Sequence, residues 1–168
     1  VNPFWFPRCL DREQGGYMIN HGPDGLPNGR STKMIVSQAR MVWYFSRMVR
    51  AGMTRPATRS QFTEAAEHGF QFLRAKMWDS AHGGYFWEVN RDGSPRNSQK
   101  HLYGQSFALY AFSEMSTALN HDGARQAAIE LFELLERRSH DGIHGGYIEG
   151  FEADWSETPA SQSTPMGP

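Results

Sequence analysis

The chain has 168 residues, with 17 basic and 18 acidic side chains and a formal net charge of −1. That balance leaves no electrostatic footprint for nucleic acid or an anionic membrane surface, and no apolar run is long enough to span a bilayer. The length suits one domain with a core of its own, and the single Cys9 cannot close an internal disulfide, which fits a reducing, cytoplasmic setting.

Residues 1–10 carry Phe4, Trp5 and Phe6 between two prolines and read as the tail of an element that begins earlier. Residues 11–32 are rich in turns, with Gly15-Gly16, Gly22-Pro23 and Asp24-Gly25 around Tyr17-Met18-Ile19, and predict a short hairpin or extended loop. Residues 33–50 contain no Gly or Pro and predict a helix that is apolar nearly all round, hence buried on most sides. Residues 58–77 predict a one-sided helix, opened by a capping box of Thr58 and Gln61 and keeping Phe62, Ala65, Ala66, Gly69, Leu73 and Met77 at helical spacing. The order then repeats: a hairpin over 83–95, an all-round apolar helix over 99–119, and a one-sided helix over 122–138 with Asp122 as cap and Phe132 on its apolar side. A third hairpin occupies 141–155, and residues 156–168 are polar, proline-containing and aperiodic, so they read as loop or disordered tail.

This alternation is an internal repeat. Lys33, Gln38, Phe45, Ser46 and Met48 fall on Lys100, Gln105, Phe112, Ser113 and Met115, and Trp43 falls on Tyr110. Each helix is preceded by an Asp, three residues and Gly-Gly-Tyr, starting at Asp11 and Asp79, and a third such lead-in starts at Asp141. A repeat of this period means stacked helix pairs. The fold class expected is therefore all-α: an α/α toroid of inner and outer helices with short β-hairpins at one end, one partial domain over 1–155. An arc with open apolar inner helices calls for more of the ring, so the chain is expected to be the N-terminal part of a longer toroid.

The repeat is informative where it breaks. Arg40 stands where the second unit has Phe107. On a largely buried helix a guanidinium must be satisfied, either by a carboxylate of a neighbouring helix or, if it faces the lumen, by sugar hydroxyls or an oxyanion. Tyr103, one turn into the second inner helix, is either a core aromatic or a residue that stacks on a sugar, and Gly104 beside it admits a ligand or another helix. Gln38 and Gln105, like Lys33 and Lys100, recur in both units, which argues for a structural task such as holding the hairpin backbone. The recurrent Asp reads as a turn former. Glu149 and Asp154 are the carboxylates that a glycosidase would need. The seven histidines make no metal-binding pair, and no phosphate loop, dinucleotide motif or nucleophile elbow occurs.

The blocks QARMVWYFSRM, AAEHGFQFL, GGYFWEVNRDGSP, LYGQSFALYAFSE and GGYIEGFEADW, in this order, resemble the N-acylglucosamine 2-epimerase family, which includes cellobiose 2-epimerases and mannose-type isomerases. The resemblance implies the first part of an (α/α)6 barrel and catalysis at C1/C2 of a reducing sugar. A histidine removes the proton beside the carbonyl, a cis-enediol forms, and a histidine returns the proton. It places Arg40 on the family's substrate-binding arginine and Tyr103 on a tyrosine lining the sugar pocket. The acid/base histidines are expected beyond residue 168, so no catalytic residue lies in this chain and the chain alone is expected to be inactive. No cofactor and no metal is expected; the partner is a small-molecule sugar, with a homodimer as the candidate assembly. The alternatives are a glycoside hydrolase-like α/α barrel and a non-catalytic α/α binding module.

Overall fold

The computed structural model describes residues 5–26 and 32–158. The start of the N-terminal segment, the last part of the first hairpin region and the tail from 159 onward lie outside the described residues.

Four helices make two layers: α1 (Ile35–Arg50), α2 (Arg59–Phe72), α3 (Leu102–Leu119) and α4 (Asp122–Arg138). Helices α1 and α3 lie side by side, α2 packs on α1 and α4 on α3. Inner helix α1 buries the stripe Ile35, Ala39, Val42, Phe45 and Val49, and α3 buries Gly104, Ala108, Ala111, Phe112 and Met115. Equivalent aromatics hold the layers together: Phe45 meets Tyr17 and Phe62, while Phe112 meets Tyr85 and Phe70. Both inner helices are buried or half-buried over most of their length, and each keeps one face clear of the outer layer, with Arg40 and Arg47 exposed on α1 and Tyr103 and Tyr110 on α3. A Cβ on Gly104 would lie 2.6 Å from Ile35 Cγ2, so this glycine serves the close approach of α1 and not of a ligand.

Several element ends differ from expectation, each for a local reason. Lys33–Met34 (β1) and Lys100–His101 (β4) are two-residue strands at the helix entries. Strand β1 pairs antiparallel with β2 (Glu88–Val89), which pairs with β3 (Pro95–Asn97); β4 pairs with β5 (Gly150–Phe151). The entry to each inner helix is thereby stitched to the hairpin of the following unit, which draws its backbone out of the helix. The capping box does not form: Pro56 tightens 56–58 into a 3-10 turn and the Thr58 hydroxyl donates to Arg55 O at 3.1 Å. Helix α2 stops at Phe72 and widens into a π turn over Leu73–Met77, which keeps Leu73 and Met77 buried and sets Trp78 against Tyr85. At α4 the cap is His121, whose Nδ1 accepts from Ala124 N at 2.9 Å, while Asp122 pairs with Arg125. Phe132 is exposed, because the face of α4 toward α3 is filled by Ala124, Ala127, Leu131 and Leu135.

What docks hairpin to helix is a lock used twice. Gln38 grips the main chain of Tyr17, its Oε1 accepting from Tyr17 N and its Nε2 donating to Tyr17 O, both at 2.8 Å. Gln105 does the same to Tyr85 at 2.8 and 2.7 Å. Beside each glutamine a buried lysine meets the hairpin aspartate: Lys33 Nζ to Asp11 Oδ2 at 3.0 Å and Lys100 Nζ to Asp79 Oδ2 at 2.7 Å. A buried ion pair persists only when its other hydrogen-bonding capacity is met. Lys33 also donates to Gly15 O and Arg91 O, and Asp11 also accepts both arms of Arg91 and the amides of Glu13 and Gln14. Burial pushes the Asp11 carboxyl pKa upward, but Arg91, Lys33 and the Gln14 amide outweigh it and hold the group well below the usual carboxylate range. Asp79 is held down in the same way by Lys100 and the Ala81 and His82 amides, against its burial.

Two outcomes follow from the lock. Replacing Gln105 by Leu strands the buried N–H and C=O of Tyr85 and should lower unfolding free energy by about 2–4 kcal/mol in urea titration, whereas exposed Gln14→Leu should change it by less than about 0.5 kcal/mol. A carboxylate whose folded pKa lies below its unfolded value adds stability above the unfolded value, near 4, and loses it as pH falls toward the folded one. Unfolding free energy should therefore decline from about pH 5 to pH 2, and Asp11→Asn should flatten that decline.

Candidate functional site on the inner face

Because α1 and α3 run side by side in the same direction, residues at equal places in the two units meet across the face turned away from the outer helices. Arg40 and Phe107, each seven residues after its unit's lysine, are in contact, with the guanidinium 5.9 Å from the ring centroid. One turn further along, Trp43 and Tyr110 stack at 5.4 Å and 21°. Beyond them Glu114 receives Arg50 at 3.0 Å and Arg47 at 3.6 Å. At the hairpin end Tyr103 meets Phe107 edge-on at 5.0 Å. The structure thus brings the two expected site residues, Arg40 and Tyr103, against one ring, that of Phe107.

Arg40 is exposed and, among the described residues, pairs with no carboxylate. The aromatic ring steers its fork while leaving its donors available, an arrangement suited to hydroxyl or carbonyl oxygens. The groove beside it measures about 460 Å³ and is lined by Trp5, Ile19, Val36, Arg40, Trp43 and Tyr44. Tyr103 is 40% exposed, with its ring edge-on to Phe107. Its main-chain N–H lies 3.3 Å from Glu149 Oε2, so that carboxylate sits at the N-terminus of α3, where the helix dipole favours an anion. Asp154 accepts from the hydroxyl and the amide of Ser156, which hold its pKa below the usual range, the reverse of what a glycosidase acid requires. Both carboxylates of the hydrolase alternative are therefore engaged in local structure.

The histidines follow the hairpins and caps. His68 Nε2 lies 2.9 Å from Gly16 O, His82 and His144 stand beside Asp79 and Asp141, and His121 joins Glu67. His101 packs on Trp87 at 4.4 Å, and burial pushes its pKa down against the opposing pull of Glu149. No cluster of three His, Cys, Asp or Glu side chains suited to a metal occurs among the described residues, and no helix there is long and apolar enough to cross a membrane. Sequence reasoning missed the Asp–Lys pairing, although its signal was present: Asp and Lys recur together, 22 and 21 residues apart.

Paired inner and outer helices with hairpins at one end and an open polar and aromatic inner face define the class of α/α toroid proteins. The fold likeness extends to a family 76 glycoside hydrolase from a Bacteroides thetaiotaomicron strain, with a TM-score of 0.67 at 14% identity. Within that class the chain belongs to the N-acylglucosamine 2-epimerase (GlcNAc 2-epimerase) family, whose model matches residues 16–166. It is 31% identical over 156 residues to a cellobiose 2-epimerase of Dictyoglomus turgidum, covering 93% of this chain and 38% of that protein. A D-mannose isomerase of Marinomonas mediterranea is 28% identical over 155 residues, with 90% and 36% covered. The structure of a cellobiose 2-epimerase from Spirochaeta thermophila superposes with a TM-score of 0.84 at 36% identity, covering 98% of this chain and 40% of that one. The chain thus spans about two fifths of the length of the relatives it matches.

Proposed function

We propose that the complete protein is a carbohydrate 2-epimerase or aldose–ketose isomerase, and that this chain supplies part of its sugar-binding wall. The observation that carries the reading is Arg40: a guanidinium steered by Phe107 and without a carboxylate partner, on the open face of a member of an epimerase family. In this reading Arg40 donates to the carbonyl or hydroxyl oxygens of the opened sugar and favours the oxyanion that grows as the enediol forms. Tyr103 presents an aromatic edge and a hydroxyl to the same sugar. The proton is taken from the carbon beside the carbonyl and returned either to the opposite face of C2 or to C1, by groups contributed from outside these 168 residues. A homodimer and a cytoplasmic setting complete the proposal.

Two measurements on the complete enzyme test it. Turnover of cellobiose or mannose in deuterated water should place deuterium at C2 of an epimer or C1 of a ketose; product without label would exclude the enediol route. Arg40→Ala should lower kcat/KM by about two to four orders of magnitude, corresponding to about 3–5 kcal/mol of lost transition-state stabilisation, with an unchanged unfolding midpoint. A wild-type rate in that variant would remove Arg40 from the site.

A further inference from the structure

One turn occurs in all three hairpin regions, and its central residue breaks pattern in the third. An aspartate Oδ1 accepts from the amide two residues on: Asp24 from Leu26, Asp92 from Ser94 and Asp154 from Ser156, each at 2.9 Å. The main chain closes alike, Gly22 N to Leu26 O at 2.8 Å, Asn90 N to Ser94 O at 2.9 Å and Glu152 N to Ser156 O at 2.8 Å. The residue after the aspartate takes a positive φ: 73° at Gly25, 92° at Gly93 and 69° at Trp155. Left-handed backbone is open to glycine and strained for a bulky side chain. Among the described residues the other non-glycine with positive φ is Asn120, a residue type suited to the helix end where it stands.

Trp155 is held there by contacts outside its own turn. Its side chain is buried, and Nε1 donates to His82 O at 3.1 Å and Gly83 O at 3.2 Å, both on the second hairpin. A Cβ on Gly84 would lie 2.5 Å from Trp155 Cζ2, so the indole rests against that glycine's backbone. The Phe151 ring packs on it from within the third hairpin, with centroids 5.3 Å apart at 54°. Phe151 belongs to β5, which sets the entry of α3: Lys100 pairs with Phe151 and His101 with Gly150. The next bond in line runs from Leu102 N to Glu149 O at 2.8 Å, and the Glu149 carboxylate stands 3.3 Å from Tyr103 N. The strand gripped by Trp155 is therefore the one against which the first turn of α3 is laid.

We infer that Trp155 is a positioning residue. It occupies a turn built for glycine in order to clamp the third hairpin to the second, and through β5 it fixes the Tyr103 end of α3. An Asp-Gly turn would close the hairpin with less strain but would leave β5 without this anchor. The clamp itself stands on the geometry of the hairpins; its effect on sugar binding rests on the reading of Tyr103 given above.

Trp155→Gly in the complete enzyme tests it, because relief of the backbone and loss of the clamp act in opposite directions. Amide hydrogen exchange at Leu102 should quicken by more than about tenfold while the Tyr17 amide keeps its rate. KM for cellobiose or mannose should rise about three- to tenfold with kcat within about twofold, the pattern of weakened binding without altered chemistry. An unchanged or slower Leu102 amide would overturn the clamp whatever the kinetics. A quickened Leu102 amide with unchanged KM would overturn its link to the sugar wall. Product without deuterium would count against the enediol reading alone, since the exchange result does not depend on it. Should the glycine variant fail to fold, Trp155→Phe, which keeps a ring and loses the N–H, decides: Leu102 exchange should quicken by more than about threefold, and an unchanged rate would overturn the clamp.

Discussion

The buried lysine–aspartate pair, with its neighbouring glutamine, is the contact on which the architecture turns. An ammonium and a carboxylate removed from water cost more than their mutual attraction returns unless their remaining donors and acceptors are filled. Around Lys33 they are filled by Gly15 and Arg91 carbonyls, and around Asp11 by Arg91 and two amides. A pair with such requirements tolerates one geometry. It fixes the rotation and height of the inner helix against its hairpin, where apolar packing alone would allow sliding.

From that registration the inner face follows. Each lysine marks the hairpin end of its helix, and the seventh residue beyond it stands on the open side. Two helices locked at the same height in the same direction then bring corresponding residues together, so Arg40 lies against Phe107 and Trp43 against Tyr110. An arginine that replaces the aromatic in one unit is held in place by the aromatic retained in the other. The row becomes charged further along, where Glu114 receives Arg47 and Arg50. The face is therefore graded from an aromatic and guanidinium mouth near the hairpins to an ion-paired far end.

The hairpins also carry the arc from one unit to the next. Arg91 of the second reaches Asp11 of the first, and the Trp155 indole N–H donates to the His82 and Gly83 carbonyls of the second. Strands β1 and β4 pair forward in the same sense. Order along the ring is transmitted by these main-chain and ionic links at one end, while the helices supply apolar area. The outer elements are linked to one another through Arg74 to Glu130 and His121 to Glu67.

Much of this was legible from the residues alone. Helical and alternating periodicities are local, so they reveal which segments are helices and which are hairpins. Self-comparison adds that the helices stack as units and that Arg40 is the position out of pattern. The sequence by itself thereby determined the layer order, the unit boundaries and the candidate residues. Only the tertiary structure decided that Thr58 closes no capping box and that His121, not Asp122, caps its helix, that Lys33 and Lys100 sit in strands, and that Asp11 and Asp79 bind lysines. Each of these depends on a partner distant in sequence or on a neighbouring turn, and periodicity carries no record of it. The same holds for Arg40: the residue type announces a charge to be satisfied, but whether a carboxylate or open space faces it is settled by how two helices pack.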